Sequence, residues 1–119
     1  MKRNDLLLVE ELKNGKERTL KSFYEEYFAL FVSFANNLLL SEEECKDVVH
    51  DVFLKYWDTR NDFDNLIAIR AFFYKTIRNT CLNLIRHQQV QNKYLAENLQ
   101  YLESDDFMHE TIIKKEIFH

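Results

Sequence analysis

Between Arg18 and Leu40 the apolar positions are Leu20, Phe23, Tyr24, Tyr27, Leu30, Phe31, Phe34, Ala35 and Leu38, the three-and-four spacing of an amphipathic helix. This pattern predicts a long core helix. Ahead of it, Leu6, Leu7, Leu8, Val9 and Leu12 make a short helix that is apolar around most of its circumference, with Asp5 as its expected cap and Asn14-Gly15 as its end. The stretch "SEEE" from Ser41 to Glu44 has the form of a capping box, in which the serine hydroxyl and the glutamate carboxylate reciprocally satisfy early backbone N–H groups. A third helix is expected to start there, to bury Cys45, Val48, Val49, Val52, Phe53 and Tyr56, and to stop near Asp58 or Arg60, where "TRNDFDN" supplies loop formers. A fourth runs from about Leu66 to beyond Arg86, with Leu66, Ile69, Phe73, Ile77, Cys81 and Leu84 as its inward stripe. After His87 the pattern weakens into a polar stretch with scattered aromatics, and "TIIKKEIFH" reads as the opening of another element.

Composition narrows the fold class. One glycine and no proline in 119 residues leave few of the tight turns that sheets require, whereas good helix formers are plentiful. The expected fold is all-α, a compact bundle of about four helices over residues 1–87, with 88–119 as a linker. A chain of this length can bury a core without crosslinks or metals. Cys45 and Cys81 have neither a CxxC spacing nor a nearby histidine pair, so they read as small buried hydrophobes rather than metal ligands. The apolar run in "MKRNDLLLVEEL" is too short for a signal peptide and no stretch approaches membrane-spanning length. A cytoplasmic protein with no membrane insertion is expected.

Charge separates two helix faces. From Asn65 to Ala96 the bases are Arg70, Lys75, Arg78, Arg86 and Lys93, with no Asp or Glu, so this segment carries +5 in a chain of net charge −4 and the remainder carries −9. On a helix, Phe72, Thr76, Asn79, Asn83 and Arg86 fall on one face, flanked by Lys75 and Arg78. Cations there can meet phosphates, amides can bond base edges or sugars, and an exposed aromatic can stack on an unpaired base. A solvated basic face is the plainer reading. It explains less well why the helix forgoes the opposite-charge pairs that usually stabilise a solvated surface.

The third helix shows the converse. Ser41 to Asp64 holds eight acids against Lys46, Lys55 and Arg60, and Asp47, Asp51, Leu54 and Asp58 share a stripe beside His50 and Trp57. A leucine and a tryptophan set among carboxylates suit protein docking, in which apolar anchors supply affinity and charges supply orientation; the alternative is again a solvated face. His50 lies near Asp47 and Asp51, but no nucleophile is placed beside it and there is no Gly-rich phosphate loop. No enzyme, cofactor or metal site is expected.

Three ordered stretches resemble the extracytoplasmic-function sigma factors of bacterial RNA polymerase, over about Leu20 to His87. "FYEEYFALFVSFANNLL" (Phe23 to Leu39) is similar to the first helix of their promoter-melting domain, region two. "SEEECKDVVHDVFLKYW" (Ser41 to Trp57) resembles their core-binding motif, and "IRAFFYKTIRNTCLNLIR" (Ile69 to Arg86) their Ala-Trp-Leu-Tyr-Arg-Ile-Ala-Arg-Asn helix. The resemblance implies that Asp47, Val48, His50, Asp51, Leu54 and Trp57 dock on the clamp-helix coiled coil of the largest subunit of the polymerase core. It implies that Phe72, Tyr74, Lys75, Arg78, Asn79, Asn83 and Arg86, with Phe63 and Asn65 from the preceding loop, engage the non-template strand of the promoter minus-ten element as it melts. His50 stands where the family usually has Gln, Phe72 replaces the usual Trp, and Asn83 replaces a frequent Asp, which removes a negative charge from the DNA face. Such proteins often have an anti-sigma partner. Their second domain, a helix-turn-helix, is expected to follow where this chain stops, with residues 88–119 leading toward it.

Two other functions compete with this one. A helical protein-interaction adaptor would use the acidic face alone. A helix-turn-helix repressor would need a tighter turn than "TRNDFDN" between its last two helices.

Overall fold

Asn4, one residue before the expected Asp5, caps the first helix of the computed structural model, which describes residues 4–38, 41–88, 97 and 99–118. Its Oδ1 accepts the Leu7 N–H at 3.1 Å, so α1 runs Asp5–Lys13 with Asp5 as a favourable charge in its first turn. The helix ends as expected at Asn14. Gly15 then takes a φ of 77°, a left-handed value that costs glycine little. Among the described residues every regular element is helical: this is the all-α bundle that the composition implies.

The second helix, α2, spans Glu17–Ala35 and stops short of Leu40. The Asn37 side-chain amide donates to the carbonyls of Ser33 at 3.0 Å and Phe34 at 3.1 Å, satisfying groups that a further turn would have used. Residues 39 and 40, the end of the predicted helix, lie outside those described. At the next helix start, Ser41 Oγ accepts the Glu44 N–H at 3.2 Å and α3 runs Glu42–Asp58. A single 3₁₀ turn, Arg60–Asp62, follows. Asn65 Oδ1 then accepts the Ala68 N–H at 2.7 Å and opens α4, Leu66–Gln88.

An aromatic cluster holds α2, α3 and α4 together. Phe73 of α4 stacks on Phe31 of α2, with centroids 4.7 Å apart, and meets Phe53 of α3 at 4.6 Å. Phe23 and Tyr56 complete the group and are fully buried. Rings of this size bury the most apolar surface per residue, and tilted packing suits their quadrupoles. Cys45 and Cys81 lie buried in the same core, where the Cys45 thiol donates to Asn36 Oδ1 at 3.2 Å.

The buried arc of α4 is wider than its predicted stripe. Leu66, Ile69, Phe73, Ile77 and Cys81 are buried as expected, but Leu84 is half-buried while Tyr74, Leu82 and Ile85 are buried instead. The reason is a further neighbour on that flank. A one-turn helix α5, Leu99–Leu102, and a longer α6, Asp105–Phe118, follow α4 in sequence and pack back on the bundle. Leu102 and Phe107 are buried with the core, and Lys115 Nζ donates to Ser33 Oγ of α2 at 2.7 Å. Among the described residues no helix is long and apolar enough to cross a membrane.

Candidate nucleic-acid and protein interfaces

α4 begins at Asn65 because an asparagine side chain bonds an early helical N–H well, and that bond fixes what Asn65 can offer. Its carboxamide oxygen is occupied by Ala68, which leaves its amide NH₂ as the group still able to donate. Behind it, Phe63 and Phe72 pack on each other at 5.0 Å, with Phe63 against Tyr56 and Phe72 against Phe73. Both are half-buried. Phe72 is therefore an aromatic edge anchored to the core rather than a ring standing free on the surface.

Further along the same face, Lys75, Asn79, Asn83 and Arg86 are exposed and Arg78 is half-exposed. Arg78 Nε donates to Asn79 Oδ1 at 3.4 Å, and Arg86 Nη1 to Asn83 Oδ1 at 3.0 Å. The side chains of Arg78, Asn79, Asn83 and Arg86, with Leu82 at the base, line a cavity of about 370 Å³ that Glu103 borders from the α5–α6 turn. Lys93, the last base of the predicted cationic segment, lies outside the described residues.

Tyr74 does not belong to this face. At 2 % exposure its ring packs edge-on against Phe31 and Phe34, and its hydroxyl donates to Glu116 Oε1 at 3.0 Å. Burial first, and then the negative charge of Glu116, push its phenol far above the ordinary tyrosine range. Two residues round the helix from Phe72, Tyr74 points toward α2 and α6.

Two of the cations are also paired. Arg70 bonds Glu116 of α6, Nη2 to Oε1, at 2.8 Å, and Arg86 forms an ion pair with Glu103. Neither carboxylate could be assigned to α4 from helical spacing, since Glu103 comes from within the polar stretch that follows the helix and Glu116 from beyond it. The one signal in the sequence is that an acid-rich segment follows a base-rich one.

On α3, Asp47, His50, Asp51, Leu54 and Asp58 are all exposed, Leu54 at 55 %. Val48 is not part of that surface: at 4 % exposure it lies in the core, one position off the acidic stripe and so about 100° round the helix. Trp57 is half-buried, with the Arg60 guanidinium over its ring.

The cysteines offer no reactive thiolate. Burial, followed by nearby negative charge, pushes Cys45 up to about 11 and Cys81 up to about 12, so both are thiols at neutral pH. Among the described residues no three His, Cys, Asp or Glu side chains converge as a metal site would need.

The bundle thus carries an acidic, leucine-bearing face on α3 and an amide- and base-bearing face on α4, a helix with no acid of its own, which Glu103 borders from the α5–α6 turn. The sigma-70 region 2 family model matches residues 23–90, which takes in α3, α4 and most of α2. The chain is similar to the RNA polymerase sigma factor CnrH of Cupriavidus metallidurans, 28 % identical over 100 residues. That match covers 83 % of this chain and 52 % of the relative, so the chain spans about half the length of the curated relative it matches. No solved structure matches it. Three motifs in order, the all-helical bundle that they build and a family match over more than half of the chain agree: the chain belongs to the sigma-70 region 2 family, with the motifs of an extracytoplasmic-function sigma factor.

Proposed function

We propose that this domain binds the RNA polymerase core through the outer face of α3 and captures the melted non-template strand of a promoter minus-ten element on the outer face of α4. The observation that carries the reading is the opposite polarity of these faces on two helices joined through Phe53, Tyr56 and Phe73. Phosphates are repelled from the face of Asp47, Asp51 and Asp58, which leaves Leu54 and Trp57 to anchor a protein partner. They are attracted to Lys75 and Arg78.

Melting on such a surface needs no chemical energy. Unstacking a base costs a few kcal/mol, and stacking an extruded base on an aromatic edge such as Phe72 returns roughly 1–3 kcal/mol. Amides at Asn65, Asn79 and Asn83 add base or sugar contacts. The domain binds the open state better than the closed one and so shifts the population between them. A cytoplasmic location follows from this partner. The same reading takes residues 88–119 as the connection toward a promoter-reading helix-turn-helix domain, and leaves room for an anti-sigma factor that covers one of the two faces.

Binding of a labelled single-stranded minus-ten oligonucleotide tests the α4 assignment. Affinity should be weak and fall with salt along a modest slope, about 0.7 in log affinity against log salt for each phosphate contact, because few contacts release few counterions. If Lys75→Ala and Arg78→Ala leave binding unchanged at low salt, the nucleic-acid reading fails. The pairing of Arg70 and Arg86 with carboxylates favours one rival, an adaptor that uses α3 alone. A pull-down with polymerase core separates the two: the sigma reading requires capture that Leu54→Glu abolishes, and an adaptor for some other protein ignores the core.

A further inference from the structure

Immediately after its cationic segment the chain becomes acidic. Between Glu97 and Phe118 there are Glu97, Glu103, Asp105, Asp106, Glu110 and Glu116 against Lys114 and Lys115. The fold brings this block back onto α4 at two points. Glu116 pairs with Arg70 at 2.8 Å and accepts the Tyr74 hydroxyl, and Glu103 pairs with Arg86 at the rim of the cavity lined by Arg78, Asn79 and Asn83.

The contact at Arg86 has the chemistry of a ligand site. A guanidinium flanked by a second arginine and two carboxamides is a donor set for an anionic oxygen, and guanidinium groups pair with carboxylate and phosphate by the same fork of N–H donors. Glu103 supplies such an oxygen from within the molecule. It belongs to a segment held in place independently, by burial of Leu102 and Phe107 and by the bond of Lys115 to Ser33. The carboxylate is therefore presented to Arg86 at high effective concentration.

We infer that the acidic C-terminal segment is an intramolecular competitor for the nucleic-acid face: a phosphodiester must displace Glu103 from Arg86 before it can be seated beside Arg78, Asn79 and Asn83. This rests on the reading of α4 as a nucleic-acid surface. Both Arg86 and Glu103 are partly exposed, so the competition sets a modest threshold rather than a block. Binding stays conditional on a strand that gains other contacts at the same time, such as stacking at Phe72, and loose association with any polyanion is disfavoured.

The test is titration of the whole chain with a fluorescent single-stranded oligonucleotide over a range of salt concentrations, comparing wild type, Glu103→Gln and Asp106→Asn. Asp106→Asn removes the same charge from the same segment at an exposed position in the first turn of α6. Glu103→Gln should bind about three-fold tighter at low salt, the scale of an exposed ion pair. It should also steepen the plot of log affinity against log salt by about 0.7, the increment for one further single-strand phosphate contact. Asp106→Asn should reproduce neither change, and thermal melts should place all three proteins in the same fold. Wild-type binding with an unchanged Glu103→Gln overturns the competition but leaves the face assigned. Equal gains in both variants attribute the effect to net charge and overturn it as well. Absence of binding by wild type and Glu103→Gln alike ends both readings, whereas binding by Glu103→Gln alone is strong competition and supports the inference.

Discussion

Arg60 lies over Trp57, its guanidinium carbon 4.2 Å from the ring centroid, and its Nη1 donates to the Trp57 carbonyl at 2.8 Å. The same guanidinium closes over the α1–α2 turn, where a Cβ added at Gly15 would lie 3.3 Å from Arg60 Nη2. One side chain thus ties the end of α3 to the start of the chain and fixes the rotamer of an interface candidate. Arg60→Ala should cost about 1 kcal/mol, the scale of a cation–π contact in a partly exposed site. Because the protein has one tryptophan, its emission reports on Trp57 directly and should move to the red with greater acrylamide quenching. An unchanged spectrum would show that Arg60 does not hold the indole.

Leu54 and Val48 separate a surface role from a core role on one helix. Leu54→Glu should leave thermal stability within about 0.5 kcal/mol of wild type, as for other exposed positions, while capture by polymerase core is lost. Val48→Ala should lose roughly 2 kcal/mol of stability through the apolar burial it removes, and should retain capture at temperatures where it stays folded. Chemical denaturation alongside the pull-down distinguishes the two. Lost capture by folded Val48→Ala would return Val48 to the interface.

Tyr56 is fully buried at the centre of the aromatic cluster, and its hydroxyl has no hydrogen-bond partner among the described residues. A buried, unsatisfied hydroxyl carries a desolvation cost of roughly 1–3 kcal/mol. Tyr56→Phe keeps the ring and removes that cost. The variant should melt at the same temperature as wild type or a few degrees higher, which is the reverse of the usual outcome for a core substitution. A clear loss of stability would show that the hydroxyl finds a partner in solution, such as a bound water.

Alkali should unfold the domain earlier than its carboxylates and lysines alone suggest. Burial raises Cys45 from 9.0 to about 11, Cys81 from 9.0 to about 12 and Tyr56 from 10.0 to about 12, and it raises Tyr74 as well. The unfolded chain ionises these groups first, so it binds fewer protons than the fold and stability falls as pH rises. Their contribution is complete below pH 9 and is lost progressively between 9 and 12, at up to about 1.4 kcal/mol per pH unit for each group. Denaturant midpoints measured from pH 8 to 11 should decline, and Tyr56→Phe should decline less above pH 10. A flat profile would contradict the burial of these groups.

The helices themselves were legible because each one obeys a local rule. The spacing of Phe23, Leu30, Phe31 and Phe34 is helical wherever the segment sits, and Ser41 caps Glu42–Asp58 with atoms three residues away. Where the prediction slipped, the cause was equally local but finer than pattern: Asn4 rather than Asp5 supplies the first cap, and the Asn37 amide ends α2 before Leu40. Two site residues that came from the family resemblance alone, Val48 and Tyr74, turn inward: Val48 is buried as its helical register predicted, and Tyr74 packs on α2 with its hydroxyl on Glu116 of α6.

Periodicity and charge order along the chain therefore determined that there are two polar faces of opposite sign on successive amphipathic helices, since a side chain's face follows from its own register. Only the tertiary structure decided which cations on α4 stay unpaired. Glu103 and Glu116 reach Arg86 and Arg70 across separations of 17 and 46 residues, and no local rule links groups so far apart; burial of Leu102 and Phe107 places those carboxylates.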